Sequence, residues 1–160
     1  MAVLLRKLLR IGGLPADLRA RVDAEGILFL AEYVPVTRRF SGSVPGKKAN
    51  TDIASYVGSL VLTPQRVLGT LSSVPKLAGR TIDHEWGAAQ SGPVKADISQ
   101  TGMHIEADIG EVDPKFTGHL SLNYKTSIPD EVLTRLPRRS VAFEVPPDYV
   151  LRAVGVPASG

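Results

Sequence analysis

The fold of this chain follows from residues 58–71, which read Gly-Ser-Leu-Val-Leu-Thr-Pro-Gln-Arg-Val-Leu-Gly-Thr-Leu. Two short apolar runs lie on either side of a tight turn. Pro64 fixes φ for the first central position of a turn, and the Thr63 hydroxyl can hydrogen-bond back into that turn. The sequence therefore predicts that residues 60–62 and 67–71 pair as an antiparallel hairpin.

Short β-rich segments separated by turn residues continue along most of the chain. We predict seven strands, over residues 27–37, 54–62, 66–72, 80–86, 93–98, 103–109 and 116–124. We also predict a loop over residues 41–48, which contain two glycines and a proline. Alternation is clearest late in the chain, where Met103 and Ile105 share one face and His104 and Glu106 share the other. Seven strands within roughly a hundred residues predict an antiparallel barrel or sandwich.

Helical patterns flank the β-rich region. The leucines of residues 1–11 form one stripe beside three basic residues, and residues 14–24 predict a second short helix. We expect the first helix to cover the core or to join two copies as a homodimer, or to contact an anionic membrane surface. A short C-terminal helix is predicted before Pro137, followed by a strand-like run over residues 141–145 and a terminal helical turn over residues 147–154.

Length and composition limit the class of protein. The chain has 160 residues, no cysteine and a formal net charge of +3, with nine basic and four acidic residues among the first 50. The absence of cysteine excludes a disulfide scaffold, a thiol nucleophile and cysteine-ligated zinc. We predict a single domain over residues 1–160, and we expect it to be cytoplasmic or peripheral to a membrane because no transmembrane run is present.

The turn motif and its flanking strands carry a resemblance to a known family. Residues 60–62 lead into Thr63, Arg66 starts the next apolar strand, and an acidic residue and a glycine, Glu25 and Gly26, precede the first strand. This pattern resembles that of bacterial pleckstrin-homology-like and GRAM-like domains. The resemblance implies a bent seven-stranded barrel capped by a C-terminal helix.

The resemblance also suggests boundaries within the single domain. It covers residues 26–136, which we assign to the pleckstrin-homology-like (PH-like) barrel and its helix. Residues 1–25 are then an N-terminal helical segment, and residues 137–160 are a C-terminal extension.

Four basic residues are our candidates for binding an anion or a lipid headgroup: Arg38, Arg39, Lys47 and Lys48. This choice follows from the resemblance, because phosphoinositide-binding pleckstrin-homology domains place basic residues around the first hairpin loop. Arginine forks and glycine amides are good ligands for anions. A solvated loop is the alternative interpretation, because Lys and Arg are mostly surface residues.

Histidines supply two further candidate sites. His84 and Trp86 share one face of a predicted strand and would line a ligand pocket, or lie in the core as ordinary packing residues. His104, Asp108 and His119, with Glu106, would share the outer face of a predicted hairpin. Alternate residues of a strand lie nearly 7 Å apart, whereas a metal ion needs ligands at about 2.0–2.2 Å. We therefore interpret the second set as a solvated polar face, with no metal bound.

These observations favour a non-enzymatic binding or interaction module. The chain has no Gly-x-Ser-x-Gly elbow, no Walker-type loop, no Gly-x-Gly-x-x-Gly and no His-Glu-x-x-His, so we predict neither catalysis nor a cofactor. Its aromatic residues are not interleaved with a basic stripe, so we expect no nucleic-acid partner. The predicted partner is a protein or an anionic surface. The alternative is a lipocalin-like barrel that holds a small apolar molecule near Trp86.

Overall fold

The computed structural model describes the backbone of residues 13–74 and 77–156, and the side chains of that part except those of residues 72–78. Eight strands dominate it: β1 (Phe29–Val44), β2 (Lys47–Leu62), β3 (Arg66–Val74), β4 (Leu77–Glu85), β5 (Val94–Ser99), β6 (Gly102–Asp108), β7 (Thr117–Lys125) and β8 (Ser140–Phe143). The helices are α1 (Ala16–Glu25), α2 (Asp130–Leu133) and α3 (Pro147–Ala153), with a 3-10 turn at Ile109–Glu111.

All eight strands belong to one antiparallel sheet that curls into a nearly closed barrel. Their order across the sheet is β4-β3-β2-β1-β7-β6-β5-β8. No backbone pairing joins β4 to β8 in the described part of the chain. Side chains cross this seam instead: the His84 ring stacks on Phe143 at a centroid distance of 5.7 Å, and the Gln90 side chain accepts a hydrogen bond from the Ala142 amide at 3.2 Å.

The hairpin predicted from residues 58–71 is confirmed. Leu60 pairs with Gly69 and Leu62 with Val67 across the β2–β3 turn. The Thr63 hydroxyl accepts a hydrogen bond from the Arg66 amide at 3.0 Å, as expected for a Thr that closes a tight turn.

The mainly β architecture is confirmed, but the predicted number of seven strands is wrong. The eighth strand, β8, overlaps the strand-like run predicted over residues 141–145 and pairs with β5. The predicted loop over residues 41–48 is also wrong, because β1 and β2 continue to a tight turn at Pro45 and Gly46. Gly46 has a φ of 93°, and glycine adopts such positive values readily, so the two 16-residue strands can reverse direction there.

Helix placement differs from the prediction as well. The helix predicted as the cap of the barrel is only the four-residue α2. The longer C-terminal helix is α3, which lies where the terminal helical turn is predicted, over residues 147–154, and packs beside β4. The predicted helix over residues 1–11, and with it the proposed dimer contact, lies outside the described residues. No helix in the described part of the chain is both long and apolar enough to cross a bilayer.

Apolar side chains fill the interior of the barrel. The large side chains that are fully buried there include Phe40, Leu60, Leu62, Met103, Leu122 and Tyr124. A second, smaller cluster lies outside the barrel, where Leu18 and Val22 of α1 cover Val61 and Leu68. The hairpin is thus buried on both faces, which explains its almost continuous apolar sequence.

Candidate functional site

The four basic residues singled out in the sequence fall on two faces of the sheet. Arg38 is only 2% exposed, whereas its neighbour Arg39 is exposed. Lys47 is half-buried, and Lys48 is exposed. Successive residues of a strand point to opposite faces, so Arg38 and Lys47 come together on the inner side while Arg39 and Lys48 stay on the outer side.

Arg38 and Lys47 share one carboxylate, that of Asp52. Arg38 Nη2 donates to Asp52 Oδ2, and Lys47 Nζ donates to the same oxygen at 2.6 Å. Both cations also reach the last carbonyls of α3: Arg38 Nη1 donates to Ala153 at 3.1 Å, and Lys47 Nζ donates to Val154 at 2.8 Å. We call these two cations and their carboxylate the basic clasp.

The basic clasp carries more positive than negative charge. The hydrogen bond from Lys47, together with the charges of Arg38 and Lys47, lowers the pKa of Asp52, so this carboxylate is ionised at neutral pH. One anion therefore faces two cations. The Arg38 Nε atom is buried and has no hydrogen-bond partner among the described residues. A buried donor of this kind commonly marks a position where a water molecule or a ligand supplies the missing hydrogen-bond acceptor.

A groove of about 760 Å³ lies beside the basic clasp, between the first half of β4 and α3. Its walls include Tyr56, Leu71, Pro146 and Tyr149. Two residues that accept hydrogen bonds from Arg38 Nη1, Tyr56 at 3.5 Å and Ala153, also line it. The basic clasp therefore lies behind this part of the groove wall and contacts it through Tyr56 and Ala153.

Hydroxyl groups fix the groove wall to the barrel. Tyr149 donates to the Thr81 carbonyl at 2.7 Å, and the Thr81 hydroxyl is hydrogen-bonded to Tyr124. Tyr124 in turn donates to the Thr70 carbonyl at 2.7 Å. Burial raises the pKa of both tyrosines, so both remain neutral donors at physiological pH. This chain of hydrogen bonds links α3, β4, β7 and β3.

Charged side chains at the groove include two arginines, Arg80 and Arg152, and one acid, Asp148. Arg80 donates to Asp83 at 3.0 Å, and Asp83 also pairs with Arg21 and Arg66. Arg152 is exposed and makes no ion pair with any described residue. Arg152 is thus a groove cation without an ion-pair partner in the part of the chain that the structure describes.

The second pair of candidates, His84 and Trp86, lies near the opposite end of β4. Trp86 is 3% exposed, and its indole nitrogen donates to the Thr63 carbonyl at 2.8 Å. The His84 Nε2 atom lies 3.1 Å from the Ala89 carbonyl oxygen. Trp86 borders a second, more open depression of about 540 Å³, which His84 does not line.

The outer-face histidines occupy the register that the sequence predicts. Asp108 pairs with His119, and one oxygen of Glu106 lies 3.5 Å from His104 Nε2 and 3.6 Å from His119 Nε2. All four side chains are at least partly exposed. No group of three His, Asp or Glu residues in the described part of the chain is arranged to hold a metal ion.

Sequence reasoning missed the groove because its parts are far apart in the chain. Tyr56 and Tyr149 come from β2 and α3, and Asp52, which joins the two cations, falls within a stretch that shows no motif. Compared with known proteins, the chain matches no family model, no curated protein and no solved structure.

Proposed function

We propose that this protein is a non-enzymatic binding module that recognises an anionic group in the groove between β4 and α3. The observation that most supports this proposal is the basic clasp, in which Arg38 and Lys47 share the single carboxylate of Asp52 beside the groove. A ligand with a carboxylate, sulfate or phosphate would balance the remaining positive charge. Charge-assisted hydrogen bonds are roughly twice as strong as neutral ones, so such a ligand gains more here than an uncharged analogue.

The walls of the groove favour a ligand that also has an apolar part. Leu71, Pro146 and the rings of Tyr56 and Tyr149 supply apolar surface. Ligand pockets commonly have volumes of about 300–1,000 Å³ and combine apolar walls with a few polar groups. The groove, at about 760 Å³, falls in that range. An anionic amphiphile is therefore the class of ligand that we expect.

A PH-like architecture remains part of this proposal. The antiparallel barrel of β1 to β7, with α3 packed beside β4, supports it. The added strand β8 is a departure from that pattern. The alternative, a lipocalin-like carrier, requires an internal cavity, but apolar side chains occupy the interior near Trp86. This packing favours the groove over the barrel interior as the ligand site.

A fluorescent anionic amphiphile tests the proposal directly. We would titrate the protein with dansyl-undecanoic acid and with its methyl ester, which has the same apolar part and no charge. We expect the acid to bind about tenfold more tightly than the ester, because one hydrogen bond to a charged group contributes about 1.5 kcal/mol. Amide shifts in nuclear magnetic resonance spectra should concentrate in residues 79–81 and in α3.

Three variants distinguish binding in the groove from attraction by the general charge of the protein surface. Arg152→Gln and Lys47→Gln should each weaken binding of the acid and leave binding of the ester nearly unchanged. Arg39→Gln removes the same charge from the outer face and should have no effect. Equal affinities for acid and ester, or a loss in Arg39→Gln as large as in Arg152→Gln, would contradict the proposed site.

A further inference from the structure

A second groove lies at the other end of β4. Its walls are formed by Pro64 at the β2–β3 turn, by Trp86 and Gly87 after β4, and by Pro137 and Arg138 before β8. Its volume is about 540 Å³. Arg80 and Glu85 border the first and the second groove, and five residues of a strand separate positions by roughly 16 Å. The two grooves are therefore distinct sites.

Arg138 lines this second groove, and Arg135 and Arg139 lie within three residues of it in the chain. Arg135, Arg138 and Arg139 are all exposed, and no acidic residue lies among residues 135–139. None of the three side chains has a hydrogen bond or an ion pair with a described residue. Basic side chains without partners keep their full charge available for an external anion.

Acidic side chains near this groove do not cancel that charge. Glu85 is the acid in its lining, and one of its oxygens lies 3.6 Å from Arg66 Nη2. Arg66 is itself tied to Glu25 and Asp83 at 2.8 Å and 2.9 Å. Arg21 and Arg80 also pair with Asp83, so three arginines balance the three acids of this network, Glu25, Asp83 and Glu85. The arginines of residues 135–139 therefore leave a net positive charge at the groove.

The shape and polarity of the surface favour a polypeptide over a membrane. The groove is concave, with a proline on each side and the edge of a buried tryptophan between them. Insertion into a bilayer needs exposed apolar side chains. The large apolar side chain that is most exposed in the described part of the chain is Ile53, which lies on β2 away from this groove.

We propose that the second groove, together with Arg135, Arg138 and Arg139, docks an acidic, extended segment of a partner protein. The segment lies between the two prolines, and its carboxylates meet the arginines at the rim. Arginine suits this role because its planar fork binds a carboxylate through two parallel hydrogen bonds. This site is independent of the ligand groove beside α3.

The chain carries its own reporter for this site. Trp86 is the single tryptophan, and its hydrogen bond to the Thr63 carbonyl holds the indole at the wall of the groove. We would measure the fluorescence anisotropy of a short fluorescein-labelled polyglutamate peptide, and in parallel the tryptophan emission with the unlabelled peptide. We expect saturable binding of polyglutamate, a shift in Trp86 emission, and no binding of a polyserine peptide of the same length.

Two triple variants with the same loss of charge decide the matter. The variant R135Q/R138Q/R139Q should bind polyglutamate about tenfold more weakly, because rim charges each contribute modestly. The control K95Q/K115Q/K125Q removes three exposed lysines elsewhere and should bind like the wild type. Circular dichroism of both variants shows whether the fold is retained.

Other outcomes overturn the proposal. If both triple variants lose affinity equally, the attraction depends only on net charge. If the wild type shows no arginine-dependent binding of polyglutamate, the docking site does not exist as proposed. If the three arginines instead support binding only to vesicles that contain phosphatidylserine, and not to vesicles of phosphatidylcholine, the surface contacts a membrane and the peptide assignment is wrong.

Discussion

Arg38 and Arg39 are consecutive in the chain, yet one is buried and the other is exposed. Arg38 is 2% exposed and donates to Asp52 and to the Ala153 carbonyl, whereas Arg39 makes no ion pair within the described residues. The alternation of β1 causes the difference. These two residues therefore offer a matched comparison of a buried and an exposed arginine.

Arg38→Gln should destabilise the protein much more than Arg39→Gln. Removal of Arg38 leaves the α3 carbonyl of Ala153 without its donor and takes one cation from Asp52. We expect the free energy of unfolding to fall by about 2 kcal/mol, whereas an exposed substitution typically changes it by less than about 0.5 kcal/mol. Urea denaturation of both variants provides the measurement, and equal midpoints would contradict the burial of Arg38.

Asp83 should make stability depend on acidic pH. Burial alone would raise its pKa, but the hydrogen bond from Arg66 and the charges of Arg21 and Arg66 lower the pKa below the ordinary value of 3.8. A carboxyl whose pKa is lower in the folded state stabilises the fold above its unfolded pKa, and this contribution is lost as the pH falls through the folded pKa.

The same reasoning predicts how Asp83→Asn behaves. The variant should be less stable than the wild type at neutral pH, and the difference should shrink as the pH is lowered below about 3.8. Denaturant unfolding at a series of pH values measures this difference directly. A difference that stays constant down to the lowest pH at which the protein folds would show that the Asp83 charge is not involved.

Gly58→Ala should disturb the hairpin that defines the fold. A Cβ atom at Gly58 would overlap the Thr70 carbonyl oxygen and would crowd the Tyr124 ring at 3.2 Å. The backbone of β3 must then shift, at a cost of about 1–3 kcal/mol for overpacking. Gly79 is the control, because a Cβ there meets no described atom within 4 Å and its φ lies outside the positive range that favours glycine. Thermal unfolding should show a lower midpoint for Gly58→Ala and little change for Gly79→Ala.

Tyr124→Phe should weaken the barrel without altering its shape. The substitution removes the donor to the Thr70 carbonyl and the partner of the Thr81 hydroxyl, both of which are buried. A buried polar group left without a partner costs about 1–3 kcal/mol. Because burial raises the pKa of Tyr124, its ionisation in the wild type should appear only when alkaline unfolding occurs. Spectrophotometric titration of wild type and variant should differ in that step, and ionisation before unfolding would be evidence against a buried Tyr124.

Local chemistry accounts for the parts of the fold that the sequence predicts correctly. The β2–β3 hairpin follows from Thr63, Pro64 and the apolar runs around them, and the β6–β7 register follows from strict alternation. Both features depend on residues close together in the chain. Arg66 enters the sequence prediction only as part of a motif, and its pairing with Glu25, 41 positions earlier, joins the apolar cluster in holding α1 against the hairpin.

Long-range packing accounts for the features that sequence reasoning misses. The glycines at 42 and 46 lead to the prediction of a loop. In the structure they provide a bulge and a tight turn within one long hairpin. The sequence predicts a strand-like run over residues 141–145, where β8 lies, but the pairing of β8 with β5 has no local signal. The groove likewise depends on long-range packing. Helix α3 follows β8 in the chain but contacts β4, which is at the other end of the strand order, because the sheet is curled.

The Gln90 side chain occupies a position that a ninth strand would otherwise fill. Its oxygen accepts from the Ala142 amide at the edge of β8, and its nitrogen donates to the Ala88 carbonyl at 2.9 Å and to the Trp86 carbonyl at 3.3 Å. An unpaired strand edge invites the edge of another molecule, and this amide blocks that encounter. One glutamine side chain therefore occupies the Ala142 amide at the seam, where a closed barrel would use a backbone hydrogen bond from a neighbouring strand.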